Sequence, residues 1–293
     1  MISLKGIIPP LPTSFHVNEE LYPEMIRENI EHLMQFELSG ILVLGSNGEF
    51  VMLTENEKEQ VFAIVREALP YGKLMIAGCG GQSTRETIRL TRLAAKHGAD
   101  AALVLNPFYY KGLMTDDVLV GHYHAVADGS PIPVIIYNMP ANSGIDMGEK
   151  VLVRIAEHKN IIGLKDSGGD IKKMTQVVKH TADDFGLLAG SAGFLLPALE
   201  IGATGGILGL ANVLPQKCLD IWNTFSNGQL DVARTIQQSV IDLNLAVTRK
   251  WGIPAMKAAM DEMGLYGGPA RGPLPALDPE KKEELINLLS PLK

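Results

Sequence analysis

The chain has 293 residues, 46% of them hydrophobic and 20% charged, with two cysteines and a formal net charge of −7; it is long enough to bury a large core and too apolar to be disordered. The acidic residues are spread along the chain without a basic run, which argues against a nucleic-acid partner. Cys79 and Cys218 lie far apart and outside any CxxC spacing, so neither a disulfide framework nor a zinc site is expected, and a reducing cytoplasm is.

The amino terminus, MISLKGIIPPLPTSF, has prolines where a signal peptide needs an unbroken apolar stretch. No later segment offers about 18 uncharged apolar residues, so neither export nor a membrane span is expected. Short β-branched runs then alternate with stretches of helical period, the pattern of repeated βα units. Strands are predicted at 6–12, 40–45, 74–77, 101–105, 134–138, 161–165, 186–189 and 203–208. Eight such strands close a (β/α)8 TIM barrel, and a doubly wound open sheet is the competing α/β architecture. Between them, Thr54-Glu55-Asn56-Glu57 reads as a capping box followed by an apolar stripe of Val61, Ile64, Val65 and Ala68, and Ser83-Thr84-Arg85-Glu86 repeats that start. Beyond about Pro215 only helices are expected, at 219–225, 229–245, 253–263 and 279–289. The chain therefore divides into a barrel, 1–224, and a C-terminal helical subdomain, 225–293, with no low-complexity linker between them.

In such barrels the chemistry sits at the carboxyl ends of the strands. Four predicted strands end in suitable residues: Gly45-Ser46-Asn47-Gly48-Glu49, Asn106-Pro107-Phe108-Tyr109-Tyr110, Tyr137-Asn138-Met139-Pro140 and Lys165-Asp166-Ser167-Gly168-Gly169. Lys165 terminates the apolar run Ile161-Ile162-Gly163-Leu164, and strict alternation would put Ile161, Gly163 and Lys165 on one face, with Gly163 leaving room for the lysine stem. An amine desolvated in a barrel mouth can attack a ketone; a strand-end lysine paired with Asp166 is the other reading, and both stay open. Tyr137 could shuttle protons beside it or be a core tyrosine with a satisfied hydroxyl. The turn Gly45-Ser46-Asn47-Gly48 suits a carboxylate or is ordinary punctuation. Gly78-Cys79-Gly80-Gly81 lacks the dinucleotide pattern, and His122 and His124, two apart on a helix, point apart and make a poor metal site.

Taken in order, these motifs resemble the family of dihydrodipicolinate synthase and N-acetylneuraminate lyase, pyruvate-dependent class I barrels, over essentially the whole chain. The resemblance implies that Lys165 forms a Schiff base with pyruvate and that Tyr137 is the proton-shuttling tyrosine. It implies that Ser46 links Tyr137 to Tyr109, which reaches into a neighbouring subunit's site. It further implies that Asn47 and Ile207 line the carboxylate and methyl region of pyruvate, that Asn142 and Ser167 also bind substrate, that no metal or organic cofactor is used, and that the assembly is a homotetramer built as a dimer of dimers. Within the family, GSNGEF (45–50), PANSG (140–144), KDSGGD (165–170), LAGSAGFL (188–195), AVTRKWGIP (246–254) and YGGPARGPL (266–274) resemble the 4-hydroxy-2-oxoglutarate aldolases, which cleave that acid to pyruvate and glyoxylate. The synthases carry an arginine for the carboxylate of aspartate semialdehyde where this chain has Asn142, and a threonine pair where it has Ser46-Asn47. The alternatives are the lysine-pathway synthase, which condenses pyruvate with aspartate semialdehyde, and a non-catalytic ligand-binding barrel.

Overall fold

A barrel must satisfy every strand edge, and this chain does so with eight parallel strands, β1 (Gly6–Ile8), β2 (Gly40–Val43), β3 (Leu74–Gly78), β4 (Ala101–Leu105), β5 (Val134–Asn138), β6 (Ile161–Asp166), β7 (Gly186–Ala189) and β8 (Gly205–Ile207). The structure, a computed structural model, describes residues 2–293. Each strand pairs with its sequence neighbour, and β8 pairs with β1. The ring closes between β1 and β2 through a bridge from Pro10 to Leu42, where Leu11 N donates to Leu42 O at 2.9 Å and Leu42 N donates to Pro9 O at 3.0 Å. The seam between β8 and β1 is held by Gly205 against Gly6, and a Cβ on Gly205 would lie 2.0 Å from the Gly6 carbonyl.

Around the ring run α1 (Pro23–Leu33), α2 (Glu55–Ala68), α3 (Thr84–Lys96), α4 (Asp116–Gly129), the one-turn α5 (Pro140–Ser143), α6 (Glu149–Ala156), α7 (Ile171–His180), α8 (Leu195–Glu200) and α9 (Pro215–Ser226). Then come α10 (Leu230–Leu245), α11 (Gly252–Glu262) and α12 (Pro279–Leu289). Among the described residues, no helix is long and apolar enough to cross a membrane. The Thr54 box forms in full, with Glu57 N donating to Thr54 Oγ1 and Thr54 N donating to Glu57 Oε2. The second box is only half made: Ser83 caps Glu86 N, but the Glu86 carboxylate is taken by Arg89 instead.

The outer core lies between strands and helices, and a second cluster, including Ile8, Leu42, Ile76, Leu103, Ile135, Leu188, Ile207 and Tyr137, fills the barrel. Strict alternation fails in β6. Val134 pairs with Ile161 but Ile135 pairs with Gly163, so a bulge inserts Ile162 and throws Ile161 outward with Leu164, while Gly163 and Lys165 keep the inward face. Nor does Gly163 leave room for the lysine stem. A Cβ there would lie 2.5 Å from Gly186 O and 2.6 Å from Leu4 Cδ1, so the glycine admits the neighbouring strand and the Leu4 plug.

The C-terminal helices cover the barrel mouth. The buried Gln237 of α10 accepts from Leu196 N and donates to Ala192 O, and Asn244 Nδ2 donates to Ser191 Oγ at 3.0 Å, so α10 grips the turn that follows β7.

Candidate active site

The barrel end nearest α10 and α11 holds the side chains that carry chemistry. Lys165 and Tyr137 are register partners on adjacent strands, both 4% exposed, and the lysine Nζ stands 4.1 Å from the centroid of the tyrosine ring. The Tyr137 hydroxyl lies 3.2 Å from Ser46 Oγ, within reach for proton exchange. Among the described residues no carboxylate approaches Lys165 Nζ within 4.0 Å.

Asp166, one residue on, faces away. Its carboxylate is fully buried, accepts from Gly168 N at 2.8 Å, Gly169 N at 3.2 Å and Asn138 Nδ2 at 2.8 Å, and has Lys173 Nζ at 3.3 Å. The reading of Lys165 as a strand-end partner of Asp166 therefore fails, because neighbours on a strand point to opposite faces. Asp166 shapes the loop after β6 from behind while Lys165 faces the cavity.

That cavity, about 50 Å³, is lined by Lys165, Tyr137, Ser46, Asn47, Ser167 and Ile207, together with Ser191, Thr248 and Arg249. Ser46 and Asn47 open a 3-10 turn, Ser46–Gly48, directly after Gly45; the first N–H groups of such a turn have no partner within it and are free for an anion. Gly190 has to be glycine here, since a Cβ would meet Ser167 Oγ at 2.0 Å. A second, more apolar cavity of about 320 Å³ adjoins it through Ser46 and is lined by Phe50, Val51, Phe108, Asn142, Ile253 and others. Asn142 thus sits in the outer vestibule, apart from Lys165.

Tyr109 is not brought to the cavity within one chain. It is 75% exposed, its ring packs edge-on against Tyr110 with centroids 5.1 Å apart, and its backbone N–H, with that of Phe108, is held by Gln82 Oε1. His122 and His124 diverge as expected: His122 is buried beside Thr84 Oγ1 at 2.9 Å, where burial pulls its pKa down to about 4, whereas His124 reaches the Arg154 carbonyl. Among the described residues no group of three or more His, Cys, Asp or Glu side chains could hold a metal ion.

Two features have no counterpart in the reading of the sequence. One is a buried ion pair beneath the Ser46 turn: Glu49, at φ 56°, meets Lys257 Nζ at 2.7 Å with both side chains inaccessible, and Lys257 also donates to Thr13 O at 2.9 Å and Pro269 O at 2.7 Å. Burial lowers the Lys257 pKa and Glu49 acts in the opposite direction. The pair fastens the turn carrying Ser46 and Asn47 to α11. The other is Arg249, whose Nη2 donates to Ser167 O at 3.2 Å from a π-helical turn, Ala246–Lys250. Its motif, TRKWG, was visible, but whether a residue there turns inward depends on one extra residue in the helical winding, which residue types do not reveal.

Comparison with known proteins agrees with this geometry. The model of the dihydrodipicolinate synthetase family matches residues 3–292. The chain is 38% identical to the L-threo-3-deoxy-hexylosonate aldolase of Hypocrea jecorina, over 93% of this chain and 91% of that one. It is 36% identical to a probable mitochondrial 4-hydroxy-2-oxoglutarate aldolase of Emericella nidulans, over 97% and 94%. A crystal structure of dihydrodipicolinate synthase from Bacillus anthracis superposes with a TM-score of 0.95 at 29% identity, covering 99% of both chains.

Proposed function

Because the chain belongs to the dihydrodipicolinate synthetase family and is a class I aldolase or lyase, we propose that it cleaves 4-hydroxy-2-oxoglutarate to pyruvate and glyoxylate through a Schiff base on Lys165. The observation that carries this reading is the lysine itself: buried, unpaired among the described residues, and stacked on Tyr137 in a polar-lined cavity. Lys165 Nζ attacks C2 of the substrate, and loss of water from the carbinolamine gives an iminium. Deprotonation of the C4 hydroxyl then breaks the C3–C4 bond. The bonding pair moves into the enamine, and glyoxylate leaves. Protonation at C3 and hydrolysis of the iminium release pyruvate and the free amine. Tyr137, hydrogen-bonded to Ser46, is the group suited to carry these protons, and the iminium serves as the electron sink that splits a hard step into easier ones. Ser46 and Asn47 would hold the C1 carboxylate, with Ile207 against the methyl side and Ser167 toward the remaining carbons.

The neutral Asn142 favours cleavage over condensation with aspartate semialdehyde, as do the aldolase names of relatives at 38% and 36% identity, whereas relatives at 30–33% are named 4-hydroxy-tetrahydrodipicolinate synthases. Tyr109 is proposed to complete the site of a neighbouring subunit in a dimer of dimers; its exposure, with that of Val51, Tyr110 and Leu113, leaves apolar surface for such a contact. The free, buried Cys79 and Cys218 support a reducing compartment such as the cytoplasm. The test is the ratio of kcat/KM for pyruvate release from 4-hydroxy-2-oxoglutarate to that for condensation of pyruvate with aspartate semialdehyde. We expect cleavage to dominate, and Asn142→Arg to move the ratio toward condensation by about one to two orders of magnitude, the worth of a charge-assisted contact. A wild type strongly favouring condensation would restore the synthase reading.

A further inference from the structure

A guanidinium lines the Lys165 cavity beside the amine proposed to attack the ketone. It belongs to Arg249, and no carboxylate is among the cavity's lining residues. Arg249 is exposed, yet it lines the cavity and is not engaged as its neighbour is. The next residue, Lys250, forms an ion pair with Glu284 at 2.6 Å and stacks over Trp251, whereas Arg249, among the described residues, has no carboxylate within 4.0 Å and contacts only the Ser167 carbonyl. Its direction is set by the backbone: Trp251 N donates to Ala246 O at 3.1 Å, five residues back, and this widened turn rotates Arg249 relative to a regular α-helix. Beside it, Ser191 Oγ already accepts from Asn244 Nδ2 and Gly193 N, so its own proton is free for an acceptor in the cavity.

We propose that Arg249 is a specificity-determining residue that holds a second carboxylate, so that the substrate class is a 2-oxo acid with an anion at its far end as well as at C1. The inference rests on the Schiff-base reading above. Lys165 takes the ketone, the Ser46-Asn47 turn takes the first carboxylate, and Arg249 with Ser191 takes the second. A guanidinium suits this task because its planar fork matches a carboxylate bidentately. Asn142, which lines the adjoining cavity, is neutral, and Arg249 is the guanidinium that lines the cavity of Lys165.

The experiment compares pyruvate release from 4-hydroxy-2-oxoglutarate and from 4-hydroxy-2-oxopentanoate, which replaces the far carboxylate by a methyl group. In the unaltered protein kcat/KM should favour the dicarboxylate by at least about tenfold, and parity or a preference for the methyl compound would overturn the proposal without any variant. Arg249→Gln should lower that ratio by about ten- to hundredfold, chiefly through KM for the dicarboxylate, and Arg249→Lys should recover part of it. An unchanged ratio in Arg249→Gln, with borohydride still trapping pyruvate on Lys165, would sink the role of Arg249 alone. Loss of trapping in the unaltered protein would sink both readings.

Discussion

Lys165 and Lys257 are both almost inaccessible, 4% and 1% exposed, and both stand over an aromatic ring, yet their polar surroundings differ. Lys257 has its charge matched by Glu49, two backbone carbonyls to donate to, and the face of Phe15 at 4.7 Å. Lys165 has no carboxylate among the described residues, only an aromatic face and an open cavity. A buried cation needs partners to be stable. Where the partners are present the lysine fastens the fold; where they are absent the side chain faces the cavity.

The same substitution at both positions should separate the two lysines. Lys165→Met, similar in volume, should abolish turnover by at least about 10⁴-fold, as expected when the residue carrying a covalent intermediate is removed, while stability changes by no more than about 1 kcal/mol because no partner is orphaned. Steady-state kinetics with thermal unfolding on one preparation checks both halves. Lys257→Met should do the reverse. It leaves the Glu49 carboxylate buried without a counter-ion and two carbonyls without a donor, a loss of about 3–5 kcal/mol. A Tm close to that of the unaltered protein would show that the pair is dispensable.

A smaller effect tests the outer edge of the same cluster. Arg271 N donates to Glu49 Oε2 at 2.8 Å and its guanidinium binds Glu57, which it holds at a pKa of about 2 against an ordinary 4.5, burial acting in the opposite direction. A depressed carboxyl pKa contributes stability that is present above pH 4.5 and lost as pH falls toward 2. Allowing for partial exposure, the expected loss is about 1–2 kcal/mol. Tm measured between pH 6 and 3 should decline in the unaltered protein and decline less in Arg271→Gln; parallel curves would show that the acid dependence lies elsewhere.

The barrel was legible because eight short apolar runs, set between amphipathic helices, leave few other ways to bury their faces. What the residues could not show was register. A bulge in β6 turns Ile161 outward although strict alternation puts it with Lys165, and a single inserted residue suffices for that. Lys165, Tyr137, Ser46, Asn47 and Ser167 line one cavity because they lie at or just after strand ends, which sequence marks well, whereas Ile207, which also lines it, was implied only by the family resemblance. The motif around Arg249 does not mark it as a cavity residue, because its approach to the cavity depends on helical winding. Glu49 escaped notice because an acidic residue after a glycine-rich turn reads as surface, when here it is buried against a helix more than two hundred residues later. Asn142 and Tyr109 stand outside the Lys165 cavity in the single chain, one in the vestibule and one on the surface.

In the proposed reaction the unpaired Lys165, and no other lysine, forms the imine. Incubation with pyruvate followed by borohydride reduction and peptide mapping tests it directly, since only an imine is trapped. One pyruvate-derived adduct per chain is expected, on Lys165, with Lys257 and Lys173 unmodified. An adduct on another lysine, or none at all, would contradict the Schiff-base reading.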